Sequence, residues 1–413
     1  VVIGKDTRRS SYMFEYALVA GLVASGADAY LLHVTTTPSV AYVTKVDGFD
    51  CGIMISASHN PYYDNGIKLI NSQGEKMDEA TIELVEKYLD GELELFGQIW
   101  ESLPFAKKEQ IGCTVDYVSG RNRYIGYLIS LGLYSFKDKK VALDCANGAS
   151  WNIAKSVFDA LGAKTYVINA APDGTNINSN CGSTHMDELK ARVVAENAQV
   201  GLAFDGDADR MLAVDEKGHL VDGDQVMAIC SKYMKDKGTL KKNTCVVTVM
   251  TNLGFTLMAK EQDINVESTK VGDRYVLENM LANGYNIGGE QSGHVIFLDD
   301  NTTGDGLLSA LHLLQVMVDT GKPLSALASI MEVLPQALVN AKVPNHKKES
   351  YMEYPEIAAA IEALGEKFAG EGRVLIRPSG TEPLVRVMIE GKNQSEIEKD
   401  ARELAELITK TIL

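Results

Sequence analysis

Hydrophobic and polar positions along this chain follow two rhythms that predict strands and helices in turn. Apolar runs at 1–4, 29–34 and 51–55 read as strands. Between them Phe14, Ala17, Leu18 and Leu22 fall at helical spacing, with Ser10 or Ser11 able to cap the helix and Gly26 to stop it, and 39–46 reads as a short second helix. Alternation of this kind predicts a parallel sheet covered by helices. The pattern returns in kind without detectable repetition of sequence: strand 140–144 ending in a Cys-Ala-Asn-Gly turn, a helix up to Gly162, strand 164–169, helix 186–197 and strand 200–204. A third block runs from a helix over 224–237 through strands at 244–250 and 295–298 to a helix over 306–320. The last part differs, because helix 354–368, strands 373–377 and 384–390 and helix 395–411 predict a small α+β unit. Linkers are expected near 104–110, 217–224 and 333–342.

At 413 residues the chain exceeds one hydrophobic core, so about two to four domains are expected. No apolar run is long enough to span a bilayer, and the charged segment after Val1, Val2 and Ile3 does not read as a signal peptide. The chain opens at Val1 on a strand already under way, and an upstream segment is expected. Cys51, Cys113, Cys145, Cys181, Cys230 and Cys245 form no Cys-x-x-Cys pair, which argues against a zinc ribbon or redox motif and for a reducing cytoplasm. A net charge of −16 opposes nonspecific binding to nucleic acid. It also means that a phosphorylated ligand would need a local cluster of Arg and Lys.

Four segments carry candidate chemistry. In Ile55-Ser-Ala-Ser-His-Asn-Pro-Tyr-Tyr-Asp-Asn-Gly-Ile-Lys68 a strand ends in a small polar loop, the place where open α/β sheets bind ligands. Ser58 can act as a nucleophile or carry a phosphoryl group, and Lys68 can act as acid or base if its pKa is lowered. Taken alone the segment also reads as an ordinary turn with a solvated lysine. A Ser-His-Asp triad is disfavoured, because adjacent Ser58 and His59 side chains diverge. In Ala203-Phe-Asp-Gly-Asp-Ala-Asp-Arg210, Asp205, Asp207 and Asp209 fall on alternate positions after an apolar strand. Clustered carboxylates repel unless a cation neutralises them, so a metal site is expected. An EF-hand loop would put Glu216 at its twelfth position, but Arg210 stands where that loop needs Gly and the flanks read as strands. Magnesium beside a phosphate fits better, with Arg210 facing phosphoryl oxygens.

Gly288-Gly-Glu-Gln-Ser-Gly-His294 offers Glu290 and Ser292 to sugar hydroxyls, or is simply a glycine-rich turn; the dinucleotide spacing is absent. Arg377-Pro-Ser-Gly-Thr-Glu-Pro-Leu-Val-Arg386 gathers Arg377, Ser379, Thr381, Arg386 and the backbone around Gly380, which is the makeup of a phosphate clamp.

With these segments in view, the chain resembles the α-D-phosphohexomutase family. SASHNP is similar to its phosphoserine loop, DGDADR to its metal loop, GGEQSGH to its sugar-recognition loop and RPSGTEP to its phosphate-binding loop. The resemblance implies three related mixed-sheet α/β domains and a smaller C-terminal α+β domain around a central cleft, with boundaries at 1–107, 108–222, 223–335 and 336–413. GKDTR, DNGIK, residues 178–185, residues 271–276 and GGEQSGH are most similar to members that act on hexosamine phosphates. That similarity implies interconversion of glucosamine 6-phosphate and glucosamine 1-phosphate through a bisphosphosugar, feeding amino-sugar nucleotide and cell-wall precursor synthesis. It implies Ser58 as phosphoserine and Mg²⁺ on Ser58, Asp205, Asp207 and Asp209. Arg8, His59, Lys68 and Arg210 would line the reacting centre. Glu290, Ser292, His294, Arg274, Arg377, Ser379, Gly380, Thr381 and Arg386 would bind substrate. A hexosamine or hexose 1,6-bisphosphate would serve as activator, the partner would be a small phosphosugar and neither nucleic acid nor membrane, and a homodimer is compatible. Family members also carry an earlier Gly-x-x-Gly-Ile-Arg-Gly type segment that is absent here. A phosphomannomutase/phosphoglucomutase, a Mg²⁺-dependent sugar phosphatase and a non-catalytic phosphosugar-binding protein are the alternatives.

Overall fold

The structure, a computed structural model, describes residues 1–95, 98–99, 105–379 and 382–413. It divides into two compact units, residues 1–250 with 262–330, and residues 251–261 with 331–413. The first unit contains three sheets built on one plan. In the first, the spatial order is Ile67–Asn71, Cys51–Ile55, Val2–Lys5, Ala29–Val34 and Thr114–Asp116. All its pairings are parallel except that of Ile67–Asn71 with Cys51–Ile55. The second runs Leu220–Val221, Met211–Asp215, Val200–Phe204, Lys140–Asp144 and Lys164–Ile168, with Met211–Asp215 antiparallel to Val200–Phe204. The third runs Asn265–Thr269, Thr244–Thr248, Ile287–Gly289 and Val295–Phe297, and again its last pair is antiparallel. Val200–Phe204 and Thr244–Thr248 are buried at every position, as expected for central strands covered on both faces.

Helix starts follow side-chain capping. Thr36 caps Thr37–Val46, Asp222 forms a capping box with Gln225 at Gly223–Asp236, and Asp305 caps Gly306–Thr320. The helix Arg9–Ala24 has no serine cap; Ser11 instead donates to the carbonyls of Asp6 and Arg8. After the Cys-Ala-Asn-Gly turn the expected single helix is split into a 3₁₀ turn, Ala149–Asn152, and Ala154–Ala160. Helix Val118–Ser130 has a polar sequence and buries only Gly120, Tyr124 and Leu128, too narrow a stripe for a periodicity argument. Leu253–Glu261, Asn265–Thr269, Asp273–Asn283 and Ile287–Gly289 were likewise not expected from the pattern. Residues 217–224 are a hairpin turn, a short strand and a helix cap rather than a linker, and 333–342 contains the strand Gln336–Lys342. Of 104–110, Lys108–Gln110 is a 3₁₀ turn and residue 104 lies outside the described residues. All six cysteines are free thiols, and burial pushes those of Cys145, Cys181, Cys230 and Cys245 up to about 12.

In the second unit the antiparallel order is Gln336–Lys342, Leu384–Glu390, Arg373–Pro378. Val385, Val387 and Ile389 form one buried face, which packs against Ile397, Ala401, Leu404 and Ile408 of helix Gln394–Ile412.

The first strand and helix of the chain are joined by a buried ion pair. Lys5 Nζ donates to Glu15 Oε2 and lies 3.6 Å from the centre of the Tyr12 ring, with both charged side chains almost wholly shielded. Removing one partner strands a charge in the interior, which costs about 3–5 kcal/mol, whereas a well-packed apolar pair is often neutral. Glu15→Ala is therefore expected to lower the thermal midpoint clearly, and the Lys5→Met/Glu15→Leu double substitution to recover most of the loss in the same melting experiment.

Candidate active site

The three motifs of the first unit occupy one topological position. Each is the connection from a parallel strand to its antiparallel neighbour: 56–66 after Cys51–Ile55, 205–210 after Val200–Phe204, and 290–294 after Ile287–Gly289.

The neck of the serine loop is closed by Ser56 N donating to Gly66 O at 3.0 Å, so tightly that a Cβ on Gly66 would lie 2.4 Å from Ser56 O. Ser58 adopts φ +50°, a left-handed conformation that a non-glycine residue holds only when its surroundings fix it. Ser58 N donates to Ser56 Oγ at 3.0 Å, and Ser56 Oγ donates to Asp6 Oδ2 at 2.7 Å. Ser58 Oγ donates to Asp205 Oδ2 at 2.5 Å, while His59 Nδ1 is 3.4 Å away, beyond a normal hydrogen bond. Burial and Arg210 hold His59 below its usual pKa.

Arg8 does not face this centre. Its guanidinium is buried behind the loop, where Nε meets Asp6 Oδ2 at 2.8 Å and the other donors meet the carbonyls of Pro61, Asp64, Ser58 and Asn60.

Asp205, Asp207 and Asp209 are all buried, with ligand oxygens within 4.8 Å of one another. Lys68, on the strand Ile67–Asn71 and not in the loop, donates to Asp207 Oδ2 at 2.5 Å and Asp209 Oδ2 at 3.1 Å. The Thr37 hydroxyl also donates to Asp207 Oδ2, and Arg210 N to Asp205 Oδ1 at 3.2 Å. Arg210 Nε stands 3.9 Å from Asp209 Oδ1. Burial, Asp209 and Asp207 push Asp205 well above the usual carboxylate range. Burial opposes charge on Asp209 too, but Lys68, His294 and Arg210 outweigh it and pull that group below the usual range. Burial also opposes charge on Lys68, yet Asp207 and Asp209 raise its pKa, so the lowered pKa expected for an acid/base lysine is not found in this state.

Asp207 Oδ1 and Asp209 Oδ1 are buried without a hydrogen-bond partner among the described residues. Orphaned carboxylate oxygens in an all-oxygen donor set fit a hard divalent cation such as magnesium. The EF-hand alternative fails on geometry, because Phe204 and Met211 pair directly across a hairpin and Glu216 instead binds the backbone N–H and hydroxyl of Ser325.

The third loop docks on the exit of the aspartate loop. Met211 N donates to Gly293 O at 3.0 Å, and a Cβ on Gly293, where φ is +94°, would lie 2.4 Å from Met211 O. Glu290 Oε1 accepts from Gly272 N at 3.0 Å, and its charge is felt by Arg210. Ser292 Oγ is buried without a partner among the described residues. His294 was expected to touch substrate, but it is 3% exposed, packed on Gly304, with Nε2 3.5 Å from Asp273 Oδ2. Arg274 lies on the outer face of helix Asp273–Asn283, paired with Glu278 at 2.7 Å and Glu79 at 3.1 Å rather than with any residue of the three loops. In the second unit, Arg377 and Arg386 are directly opposed across neighbouring strands; burial and Arg386 lower the pKa of Arg377. Arg386 Nη2 donates to Glu382 at 3.0 Å, and Ser379 Oγ accepts from Glu382 N at 3.2 Å. Gly380 and Thr381 lie outside the described residues. Sequence reasoning did not single out Asp6, Thr37 or Asn178. Asn178 did fall within a segment noted for its resemblance, though no role was attached to it.

The chain matches phosphoglucomutase/phosphomannomutase family models in series: alpha/beta/alpha domain I over residues 1–95, domain II over 122–218, domain III over 222–334 and the C-terminal domain over 338–407. It is 58% identical over 408 residues to a phosphoglucosamine mutase of Lachnospira eligens, covering 99% of this chain and 89% of the relative. Among solved structures, a phosphoglucomutase/phosphomannomutase family protein of Burkholderia thailandensis superposes with a TM-score of 0.81 at 21% identity, covering 100% of this chain and 90% of that one. An N-acetylphosphoglucosamine mutase of Aspergillus fumigatus, solved in complex with GlcNAc-6P and magnesium, gives a TM-score of 0.67 at 19% identity, covering 91% and 93%. The solved structures share the fold and the close relative shares most of the sequence, so the chain belongs to the phosphoglucomutase/phosphomannomutase family of α-D-phosphohexomutases.

Proposed function

We propose that this chain interconverts glucosamine 6-phosphate and glucosamine 1-phosphate by passing a phosphoryl group through Ser58. The observation that carries the reading is the Ser58 hydroxyl, 2.5 Å from Asp205 at the edge of a buried three-carboxylate cluster with two orphaned oxygens. The amino-sugar assignment rests on the 58% identity to the Lachnospira eligens phosphoglucosamine mutase.

On this reading phosphorylated Ser58 meets the C1 hydroxyl of the 6-phosphate. The P–Oγ bond breaks as the P–O1 bond forms, and the hydroxyl proton leaves, giving a 1,6-bisphosphosugar. The sugar then turns, and its 6-phosphoryl group passes to Ser58 while a proton returns to O6. Such a transfer has a loose, charge-rich transition state, so most of the catalysis lies in positioning and charge. Magnesium held by Asp205, Asp207, Asp209 and the Ser58 oxygen would spread the phosphoryl charge and release Lys68 from its carboxylate partners to handle the hydroxyl proton. Arg210 adds a second positive charge and His59 stays neutral near pH 7. Glu290 and Ser292 grip ring hydroxyls in both orientations, and Arg377 with Arg386 takes the phosphate that is not transferred. A hexose or hexosamine 1,6-bisphosphate primes Ser58. The Aspergillus enzyme, solved with GlcNAc-6P and magnesium, supports the ligand class. Phosphosugar substrates support a cytoplasmic reading. Separately, no helix among the described residues is long and apolar enough to cross a membrane.

Peptide mass spectrometry after incubation with glucose 1,6-bisphosphate and Mg²⁺ is expected to find phosphate on Ser58. The Ser58→Ala variant should take none and lose more than about 1,000-fold in kcat. A wild type that stays unmodified while turning over would end the reading. In steady-state assays kcat/KM for glucosamine 6-phosphate should exceed those for glucose and mannose 6-phosphates by at least about tenfold; the reverse order would reassign the sugar. Gly206→Ala puts a Cβ 2.5 Å from Ser58 O. It is expected to lower kcat by about 10–100-fold and, because the clash is with backbone, to lower the thermal midpoint as well.

A further inference from the structure

Ser58 keeps its left-handed backbone because its carbonyl and that of Asn60 are each gripped twice. Arg8 Nη2 donates to Ser58 O at 2.9 Å and to Asn60 O at 3.0 Å. Asn178 Nδ2 donates to the same two oxygens at 2.8 and 3.0 Å. The two grips differ in origin. Arg8 follows the strand Val2–Lys5, next to the strand from which the serine loop springs, and so moves with that loop. Asn178 belongs to the block that carries the aspartates. Its own N–H is bonded to Ala146 O at 2.9 Å, in the turn after Lys140–Asp144, and that strand pairs with Val200–Phe204. Gly206, inside the aspartate loop, completes the contact, since a Cβ there would lie 2.5 Å from Ser58 O and 2.9 Å from Asn178 Nδ2.

We propose that Asn178 is a positioning residue for phosphoryl transfer, registering the backbone of Ser58 against the aspartate loop. The proposal rests on the reading of Ser58 as the phosphoryl carrier. A primary amide suits the task because one nitrogen offers two diverging N–H bonds to two carbonyls; aspartate offers none. The side chain is buried and both of its donors are used, so it contributes orientation and no charge. Its importance rises in the working state. Unphosphorylated Ser58 is also held through its hydroxyl to Asp205, but a phosphoserine has no Oγ–H to give. The carbonyl grip from Asn178 is then the remaining side-chain hydrogen bond from the aspartate-bearing block to Ser58 among the described residues. A displacement of about 1 Å at a phosphoryl donor is enough to cost roughly 100-fold.

The test compares wild type with Asn178→Ala and with Asn178→Leu, which is nearly isosteric, uncharged and lacks the donors. Single-turnover uptake of phosphate by Ser58 from glucose 1,6-bisphosphate, followed by intact mass, is expected to slow by about 10–100-fold in both variants. Steady-state kcat should fall by a similar factor with KM within about threefold, and the thermal midpoint should stay within about 3 °C. A merely structural residue would move the midpoint and leave the single-turnover rate of the folded fraction unchanged, and that result overturns the proposal. So does a loss confined to KM. If the alanine variant fails to fold, the leucine variant decides by the same criteria. Wild type that takes up no phosphate would refute the phosphoserine reading itself, an outcome distinct from a variant that matches a phosphorylated wild type.

Discussion

Three carboxylates brought together at the buried end of one strand set the terms for everything around them. With ligand oxygens no more than 4.8 Å apart, each ionised pair repels by at least about 3 kcal/mol at an effective dielectric near 20. That is several times what an exposed ion pair returns, so the loop cannot be stable alone. Relief comes from the first block of the chain, which supplies the Lys68 ammonium, the Thr37 hydroxyl and the Ser58 hydroxyl, and from Arg210 next to the cluster. The neighbourhood of Ser58 and the packing of the first block on the second are thus one electrostatic problem. A divalent cation would solve the same problem more completely, because it would also partner the oxygens that protein donors leave unpaired.

Repetition of one topology explains how loops far apart in sequence come to share a centre. In all three sheets the connection from a parallel strand to an antiparallel neighbour leaves at the carboxyl end, where open sheets present ligands. The loops then interlock through backbone contacts that exclude side chains: Gly206 lies on Ser58 O, and Gly293 lies on Met211 O at the exit of the aspartate loop. Each of these glycines is required by close approach, so the spacing between loops is set by backbone van der Waals distance and not by adjustable side chains.

How much of this was legible in the sequence follows from the kind of signal each residue leaves. Alternation makes the three aspartates readable, because no solvated turn needs carboxylates in register. The strand–helix alternation of the first two blocks is readable because central strands are continuous apolar runs. Helix Val118–Ser130 and strand Asn265–Thr269 are not, since the first buries a narrow stripe and the second is half-exposed at a sheet edge. Arg8 and His294 were readable as important but not in direction: a guanidinium spent on backbone carbonyls and one facing a phosphate have the same sequence. Asn178 fell in a segment noted for its resemblance but left no signal of its role, because it bonds to main-chain oxygens that every residue possesses. The raised pKa of Lys68 depends on a strand address that places it over the aspartates, and a motif read as a loop cannot supply that.

The charges in the first unit also indicate why this arrangement suits a reaction that must run both ways. Burial and its two neighbours hold the Asp205 carboxyl well above the usual range, and a bound cation would favour its ionised form; with all three aspartates ionised, Lys68 and Arg210 leave about one net negative charge. A divalent cation would turn that into about one positive charge, and a phosphoryl group on Ser58, bringing roughly −1.5 to −2, would return it to about −0.5 to −1. On the proposed reading, with the cation bound the serine and phosphoserine forms would lie on either side of neutrality and at similar distance from it. Neither form would then be heavily favoured by the buried field. Without the cation the phosphoserine form would add its charge to a carboxylate cluster relieved by Lys68, Thr37 and Arg210 alone among the neighbours described above. Two aspartates would leave the cation-bound serine form at about two positive charges, biasing the site toward holding the phosphoryl group. On the proposed reading of Ser58 as phosphoryl carrier, the third carboxylate, costly for the fold, is what would keep the two states of that serine balanced.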